Sequence, residues 1–372
     1  MRSVLHIITG LNDGGAEGVL YRICLNDTQN RHIVISMMDE GKYGPLLKEA
    51  GVDVHCLYAP RGRISYHTIR NLWKLVRSIR PNVVQTWMYH ANLVGGLVAY
   101  FAGSRRIIWS LRHASLSFDD SKSTTRLIDR ICAIVSHVVP QKIIAISNKV
   151  TEVHLSKGYA SKFTVIYNGC DTGVYFPDRQ KIEELTDEFG IKPGIPTIGC
   201  VARWTPEKDH ATLLKAIALA ARRVELQAIL VGVGCDPANR DLSTAITDLG
   251  IEDKVFLVGA RRDIPHIMNL LDIHVLPSKN EAFGNVIIEA MSCGTPCIST
   301  DVGDARHIIG GTGWIVDRQN PSMMSNAIVD AISLMSDQER RNIRKSISRT
   351  RVKDEFSIQT MISAYRAVWM AC

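Results

Sequence analysis

Two carboxylates eight positions apart, Glu281 and Glu289, could hold a polar ligand. An apolar strand is predicted just before them at 273–276, and the pattern after Gly284 is helical. Glu281 is therefore expected in a strand-to-helix loop and Glu289 about two turns into the helix. The amides of 283–285 would form the helix N-terminus, which favours an anion. Carboxylates accept hydrogen bonds from vicinal hydroxyls, so the segment predicts a nucleotide-sugar site.

Two cations, Arg203 and Lys208, are predicted at the end of one strand and at the start of the next helix. Fixed positive charge at this position can neutralise a departing diphosphate, with Arg as a bidentate partner and Lys as a point charge. The alternative is a pair of surface charges at a crossover. If the two cations serve a diphosphate, no metal and no cofactor are needed, and we expect none. The nearest acidic pair, Asp119-Asp120, is interpreted as ordinary surface.

A glycine pair, Gly14 and Gly15, follows the first predicted strand and opens a helix, where glycine permits close approach of backbone to phosphate. Asn12 and Asp13 are expected to face the acceptor, the second ligand of such a site. His90 lies at the end of another predicted strand. A dinucleotide site is the alternative, but the segment is not G-x-G-x-x-G.

Four blocks in this order resemble the large retaining glycosyltransferase family often numbered 4. Glu281 begins an E-x7-E element that contains E-x-F-G-N and is followed by E-A-M-x-C-G-x-P. Residues 201–208 read V-A-R-W-T-P-E-K, and residues 9–17 are similar to the Gly-rich first loop of bacterial polysaccharide transferases. Residues 167–171 resemble the segment between the two domains. The blocks span residues 9 to 301, so the resemblance covers nearly the whole chain.

The resemblance implies roles for individual residues. Glu281 would contact the hydroxyls of the donor hexose and Glu289 the ribose, and His113 would lie near the reacting centre. His113 and His90 are also expected to meet the acceptor. Arg261 would lie in the loop that frames the base, largely through backbone groups. The remaining donor-site residues would be Gly14, Gly15, Arg203, Lys208, Ala282, Phe283, Gly284, Asn285 and Val286.

The reaction implied is retaining, metal-independent hexosyl transfer from a nucleotide sugar, which we expect to be UDP-linked. The departing diphosphate would help to remove the acceptor proton. The expected acceptor is a lipid-linked saccharide in bacterial surface-polysaccharide assembly. Two alternatives stay open: the same fold acting on a soluble small-molecule acceptor, and a non-catalytic nucleotide- or polysaccharide-binding module. Paired carboxylates also serve glycosidases, but there they must flank the scissile bond at short range.

The 372 residues alternate between short Val/Ile-rich runs and amphipathic stretches, and the alternation restarts after about residue 190. This pattern predicts two Rossmann-like, doubly wound parallel-sheet domains. With the resemblance, it implies the GT-B fold, in which the domains face each other across a cleft. The expected divisions are an acceptor domain at 1–170, a linker at 171–196, a donor domain at 197–354, and a C-terminal helix at 355–372 that crosses back to the first domain.

Positive charge is concentrated in the first half of the chain. Residues 1–179 carry a net charge of +9 and the remainder −2. A basic amphipathic helix is predicted at 67–80, which suggests peripheral docking on an anionic membrane surface. The alternative is an ordinary crossover helix with a solvated basic face. Nucleic acid is not expected, since aromatic residues do not interleave with the basic ones. With no signal peptide and no apolar run long enough to span a bilayer, a cytoplasmic location is expected.

Overall fold

The computed structural model describes residues 1–60, 62–112 and 123–371. These residues form two compact units. One unit consists of Met1–Gly169 and Ile358–Cys372, and the other consists of Cys170–Ser357. The first unit is therefore discontinuous in sequence, because the end of the chain returns to it.

The first unit is built on seven parallel strands in the order β3-β2-β1-β4-β5-β6-β7. The central strands are buried along most of their length, as expected when helices cover both faces of a parallel sheet. The strands are β1 (Arg2–Ile8), β2 (Asn30–Ser36), β3 (Asp53–Cys56), β4 (Val83–Trp87), β5 (Ile107–Leu111), β6 (Lys142–Ala145) and β7 (Phe163–Val165).

Crossovers between parallel strands are right-handed as a rule. For this strand order the rule places α1 and α2 on one face of the sheet and α3 to α7 on the other. The contacts agree with this division, since α1 packs against α2, α3 against α5, and α6 against α4. A π-turn at Ala91–Gly95 joins α4 to α5. The helices are α1 (Gly15–Asn26), α2 (Tyr43–Glu49), α3 (Tyr66–Ile79), α4 (Met88–His90), α5 (Gly96–Phe101), α6 (Ser123–Val135) and α7 (Asn148–Ser156).

The second unit has six parallel strands in the order β10-β9-β8-β11-β12-β13. Its core consists of apolar side chains from these strands and from the helices that cover them. The strands are β8 (Thr197–Val201), β9 (Gln227–Val231), β10 (Val255–Gly259), β11 (Ile273–Leu276), β12 (Cys297–Thr300) and β13 (Trp314–Val316). The helices are α8 (Ile182–Phe189), α9 (His210–Ala220), α10 (Arg240–Asp248), α11 (Ile264–Leu270), α12 (Asn285–Ser292), α13 (Ala305–Ile309), α14 (Pro321–Ser336) and α15 (Gln338–Glu355).

The last helix, α16 (Ile358–Ala371), belongs to the first unit and is anchored there by aromatic side chains. Trp369 is 1% exposed, and its Nε1 donates a hydrogen bond to Gln85 Oε1 at 2.6 Å. The ring of Tyr365 stacks on Trp87 with 6.1 Å between centroids. Arg366 pairs with buried Asp27 at 2.6 Å. This helix therefore completes the core of a unit that begins more than 300 residues earlier.

A buried chain of hydrogen bonds lies beneath α16. The Asp27 carboxylate, whose pKa is lowered by hydrogen bonds from His32, Asn30 and Arg366, can only accept. Nε2 of His32 therefore donates to it at 3.1 Å, and Nδ1 of His32 accepts from His6 Nε2 at 2.9 Å. Nδ1 of His6 then accepts from Trp87 Nε1 at 3.3 Å. Burial and His32 lower the pKa of His6, in keeping with its neutral state.

The same histidines lie near the thiol of Cys24, at distances that would suit a metal ion. Each ring nitrogen is already committed to a hydrogen bond, however, and burial raises the pKa of the Cys24 thiol. This cluster is therefore interpreted as a structural hydrogen-bond network.

Several elements differ from the sequence-based expectations. The fold class is confirmed: both units are doubly wound parallel α/β sheets. Within the expected linker, residues 182–189 form helix α8, which buries Leu185 and Phe189, so its charged run is a solvated helix face. The structure also adds β13 and the helices α13, α14 and α15, which the sequence pattern did not resolve. The C-terminal helix begins at Ile358, after a break where the Cys170 amide donates to Phe356 O at 2.8 Å.

Among the described residues, none of the helices has both the length and the apolar character needed to cross a lipid bilayer.

We predict that α16 contributes strongly to the stability of the first unit. Trp369→Ala removes a fully buried indole and leaves Gln85 without its hydrogen bond, and should cost about 3–5 kcal/mol of unfolding free energy. Met370→Ala is the matched control on the same helix, because Met370 is 68% exposed, and should change stability by less than about 0.5 kcal/mol. Urea unfolding followed by circular dichroism measures both, and equal midpoints for the two variants would contradict the anchoring role.

Candidate functional site

In both sheets the chain order reverses at one point. The first sheet reverses between β1 and β4, and the second between β8 and β11. Open α/β sheets bind ligands outside the carboxyl ends of the strands at such a reversal. The predicted residues follow these strands: Asn12 to Gly15 after β1, His90 after β4, Arg203 and Lys208 after β8, and Glu281 after β11.

An ion pair joins the two loops at the β8/β11 reversal. Lys208 Nζ lies 2.5 Å from Glu281 Oε1, and the same oxygen accepts from Ser278 Oγ at 2.8 Å. The backbones are tied as well, since the Lys279 amide donates to Glu207 O at 2.7 Å. Both charged side chains are mostly buried, at 22% and 14% exposure. The structure thus brings together two residues that are 73 positions apart and were predicted to serve one ligand.

Arg203 lies at the same edge of the sheet, but its surroundings differ from those of Lys208. Its side chain is exposed, and within the described part of the chain it has no ion pair or hydrogen bond. The backbone next to it is closely packed: a Cβ at Gly232, where φ is +146°, would come within 2.1 Å of Ala202 O. A Cβ at Gly234 would meet the Trp204 side chain at 2.9 Å. Arg203 is therefore a charged group available to an anion beside a glycine loop.

That glycine loop, Gly232 to Gly234, is a part of the site that the sequence analysis missed. It follows β9, the strand next to β8, so it reaches the same edge as Arg203. Its signal was present as a G-x-G directly after an apolar strand.

The N-terminus of α12 lies beside Glu281. Gly284 caps the helix with a φ of +92°, a left-handed conformation that favours glycine, and Asn285 is the first helical residue. Phe283 is buried, with its ring 6.1 Å from that of Phe356, and so holds the loop against the core. Ala282 and Val286 are half-buried on either side of this turn.

Glu289 stands in the second turn of α12 and is half-buried. A Cβ on Gly303, after β12, would approach Glu281 O at 2.7 Å, so a glycine is required where that loop passes. The two carboxylates and the helix N-terminus thus belong to one compact strand-loop-helix element, as predicted.

Two neutral histidines lie beneath Lys208. Burial, then the charge of Lys208, lowers the pKa of His274 to about 3 and that of His210 to about 4. His210 contacts the thiol of Cys235 at 3.6 Å, and His274 is fully buried on β11. Because both imidazoles are uncharged at neutral pH, the positive charge at this point of the edge is carried by Lys208.

Arg261 follows β10, and its side chain is already occupied. Its guanidinium pairs with Asp263 at 2.7 Å and with Glu188, and it stacks on Phe189 at 5.2 Å. The carboxylates of Asp263 and Glu188 raise the pKa of Arg261. A ligand at this loop would therefore meet the backbone of residue 261, which is how the resemblance assigned it.

The glycine loop of the first unit is exposed. Asp13 pairs with Lys42 at 2.9 Å, and Asn12 accepts a hydrogen bond from the Gly14 amide through its carbonyl. Gly14 caps α1 in an extended conformation, and a Cβ there would meet the carboxylate of Glu17 at 2.3 Å. A Cβ at Gly15 would meet nothing within 4 Å, so open space lies at the start of α1.

His90 ends the short helix α4, and burial lowers its pKa. The residue just after β4, Met88, has a φ of +72°, an uncommon conformation for a side chain of this size and a feature found at functional sites. His113 and the pair Asp119-Asp120 lie outside the described residues, so the role of His113 stays a prediction.

Two further charged groups at this edge were not singled out from the sequence. Arg112, after β5, is 7% exposed and donates to Tyr365 Oη at 3.2 Å and to Asn168, with its guanidinium 5.5 Å from the Trp87 ring. Burial raises the pKa of Glu17, although the charge of Arg112 opposes the shift. Their partners come from distant segments, which is why spacing gave no signal.

Comparison with known families gives two matches that cover most of the chain. Residues 13–174 match the model described as Glycosyltransferase Family 4, and residues 181–350 match the model described as Glycosyl transferases group 1.

Among curated proteins, the chain is 28% identical over 206 residues to N-acetyl-alpha-D-glucosaminyl L-malate synthase of Bacillus anthracis. That match covers 55% of this chain and 52% of the relative, so the chain spans about half the length of this relative. It is 23% identical to the UDP-Gal:alpha-D-GlcNAc-diphosphoundecaprenol alpha-1,3-galactosyltransferase of Escherichia coli, covering 81% of this chain and 78% of that one.

Among solved structures, the chain is similar to HepE of Anabaena in complex with UDP, with a TM-score of 0.86 and 23% identity over 100% of both chains. The complex of HepE with UDP-glucose has a TM-score of 0.81 at 22% identity, again over 100% of both chains. At this identity the likeness supports the GT-B fold.

The neutral state of His274 predicts a pH dependence of stability. Its folded pKa, about 3, lies below the ordinary value of 6.5. The stability that it contributes is therefore complete above about pH 6.5 and is lost as the pH falls towards 3, because the unfolded chain then binds the extra proton. Between pH 6 and pH 4, the parent should lose about 1.4 kcal/mol more per pH unit than His274→Gln. Urea titrations at several pH values measure the slopes.

The control is His67→Gln, at an exposed position, which should keep the pH slope of the parent. If the stability of His274→Gln fell with pH as steeply as that of the parent, the prediction would be wrong. His274 would then take up its proton in the folded protein as readily as in the unfolded chain.

Proposed function

Because the chain belongs to the glycosyltransferases of the group 1 and family 4 type, we propose that it transfers a hexosyl unit from a nucleotide sugar, with retention at the anomeric carbon. The observation that carries the proposal is the Lys208–Glu281 pair, held at the β8/β11 reversal beside the N-terminus of α12. A cation, a carboxylate and a helix N-terminus at one sheet edge suit the phosphates and the hydroxyls of one donor.

The electrostatic task of the reaction falls on Lys208 and Arg203. As the anomeric C–O bond breaks, negative charge grows on the leaving diphosphate, and fixed cations stabilise that charge more in the transition state than in the ground state. Arg203 is exposed and available, whereas Lys208 is neutralised by Glu281 before the donor binds. The donor phosphates then compete with Glu281 for Lys208, and Glu281 turns to the hexose hydroxyls. Two cations would supply the charge that a divalent metal provides elsewhere.

The retaining step needs no enzymic nucleophile. The acceptor oxygen bonds to the anomeric carbon on the face that the diphosphate leaves, and the acceptor proton passes to a departing phosphate oxygen. The residues that would take part are therefore those that bind and orient: Lys208, Arg203, Glu281 and, in the first unit, His113.

We assign UDP as the nucleotide, because HepE was crystallised with UDP and with UDP-glucose. Glu289 would bind the ribose and the loop at Arg261 would frame the base. Asn12, Asp13 and His90, at the β1/β4 reversal of the first unit, would bind the acceptor, and Gly14 and Gly15 would bind the donor.

The acceptor we propose is a lipid-linked saccharide, and the protein would work as a peripheral enzyme on the inner face of the cytoplasmic membrane. The E. coli galactosyltransferase relative is named for a diphosphoundecaprenol acceptor. The charge of +9 on residues 1–179 favours an anionic surface. The second candidate is a soluble acceptor, and the B. anthracis relative, named as an L-malate synthase, supports it.

Removing either cation should slow turnover. Lys208→Ala and Arg203→Ala should each cost about 2–4 kcal/mol of transition-state stabilisation, because the lost contact strengthens as the diphosphate leaves. Turnover of radiolabelled UDP-hexose measures the loss. Lys215→Ala is the matched control, since Lys215 is exposed on α9, and should keep the parent rate. Activity should also survive EDTA, and loss of turnover that divalent metal restores would refute the metal-independent clamp.

The two carboxylates should separate by role. Glu289→Ala should weaken the binding of UDP alone, because that carboxylate is assigned to the ribose. Glu281→Ala should not weaken it, because the change removes an anion 2.5 Å from Lys208, yet turnover should fall since the hexose loses its partner. Isothermal calorimetry with UDP, paired with turnover, makes the comparison. Equal losses of UDP affinity in both variants would contradict the assignment.

A further inference from the structure

Helix α6 has its apolar side on the outside. Three side chains of α6, together with Val138 in the turn that follows, form an exposed stripe at helical spacing. We call this the α6 stripe: Leu127 is 58% exposed, Ile131 37%, Ile134 74% and Val138 66%. The side of the helix turned inward carries Asp129, Cys132 and Ala133, and these three residues are buried, as is Ser136 just after the helix. A surface helix of a globular protein normally has the opposite arrangement.

Polar contacts set this orientation. The Asp129 carboxylate accepts from Lys157 Nζ at 2.8 Å and from Tyr159 Oη at 2.7 Å. Ser136 Oγ accepts from the Ala160 amide at 2.8 Å, and Lys162 Nζ donates to His137 O at 2.8 Å. Rotating α6 to bury its stripe would break the buried bonds of Asp129 with Tyr159 and of Ser136 with Ala160, at a cost that the apolar burial would have to exceed. The exposed stripe is therefore specified by the fold.

Positive charge lies in the same helical layer as the stripe. Residues 54–118 contain nine Lys and Arg and no Asp or Glu. On α3, the side chains of Arg70, Lys74 and Arg77 are exposed, and the guanidinium of Arg77 lies 4.9 Å from the Trp73 ring. Since α3 packs on α5 and α6 packs on α4 and the π-turn before α5, the two helices flank one layer on one face of the sheet.

The basic helix α3 exposes less aliphatic surface than the α6 stripe does. Leu72 and Val76 are buried against the unit, and Ile69 and Trp73 are 39% and 38% exposed, well below three of the four stripe residues. Its structure matches the ordinary crossover helix with a solvated basic face. Cations without apolar insertion give weak, salt-sensitive binding to a bilayer, and apolar side chains without cations give little preference for anionic lipid.

We propose that the α6 stripe inserts into the headgroup region of an anionic lipid bilayer, while α3 supplies the attraction to its surface charge. The observation that selects this occupant is the charge of the layer: a long segment with cations and no carboxylate complements anionic lipid. The inference rests on the proposed function, because docking of this unit would bring a lipid-linked acceptor to the β1/β4 edge.

The test uses the full chain with Leu127→Ser and Ile134→Ser combined, since both side chains are exposed and their loss leaves the core intact. Vesicles of phosphatidylcholine with about one-third phosphatidylglycerol, and vesicles of phosphatidylcholine alone, are sedimented with protein at low and high salt. The parent should bind only the anionic vesicles, and the double variant should bind them about tenfold or more weakly at every salt concentration. Ile343→Ser, with Ile343 53% exposed on α15, is the matched control and should bind as the parent does.

A second variant separates charge from insertion. The triple change of Arg70, Lys74 and Arg77 to Glu should remove the salt-sensitive part of vesicle binding. Salt screens the attraction between charges and does not screen the insertion of apolar side chains. If the α6 double variant binds anionic vesicles as tightly as the parent, the proposal is wrong. It is equally overturned if the parent sediments as a dimer in analytical ultracentrifugation that the double variant abolishes while vesicle binding persists, since the stripe would then be a self-interface.

The affinity for UDP and the turnover of UDP-hexose on a short-chain, water-soluble acceptor are measured on the same samples. Both should be unchanged in the α6 and α3 variants, because the substituted side chains are exposed and are not among the site residues. A parent that binds vesicles through α6 but never turns over the donor would count against the glycosyltransferase function and leave the docking surface standing.

Discussion

Within each of the two sheets all strands are parallel, and this constraint decides where chemistry can occur. A parallel sheet delivers the last residue of each strand to one edge, and a reversal of chain order leaves two neighbouring loops there without a crossover between them. In the second unit those loops carry Arg203 and Glu281, which are far apart in the chain. In the first unit the corresponding segments carry Asn12 and Met88. The apolar strands that form the cores thus also determine which polar residues become neighbours.

At the β8/β11 reversal, burial keeps some titratable side chains neutral. The few groups that are charged therefore act strongly on a bound ligand. His274 and His210 stay neutral because the protein interior and the nearby ammonium both oppose their protonation. The ammonium group of Lys208 lies against the Glu281 carboxylate. A buried pair of this kind is weak evidence for stability, since desolvation offsets most of the attraction. The Lys208–Glu281 pair is better explained as part of a binding site for a ligand that carries both phosphates and hydroxyls.

In the first unit, polar contacts are placed where they set the orientation of whole helices. Asp27 ties α16 to the end of α1 and, through His32 and His6, to the central strands. Asp129 does the same for α6, and the consequence there is an apolar surface turned outward. Hydrogen bonds in a low-dielectric interior are costly to leave unmade, so a single buried carboxylate can outweigh several exposed apolar side chains.

The sequence alone determined the fold class, most of the strands, the family and the E-x7-E element, because each depends on short-range patterns. Buried parallel strands read as apolar runs, and Gly284 marks the turn where Glu281 meets α12. Only the tertiary structure decided the rest. It paired Lys208 with Glu281, enclosed Arg261 between Asp263 and Glu188, and drew Arg112 to Tyr365. It also made the charged run at 182–189 a helix and turned the apolar side of α6 outward. These outcomes depend on which side chains, distant in sequence, compete for the same buried position. Such competition produces no periodic pattern in the amino-acid sequence.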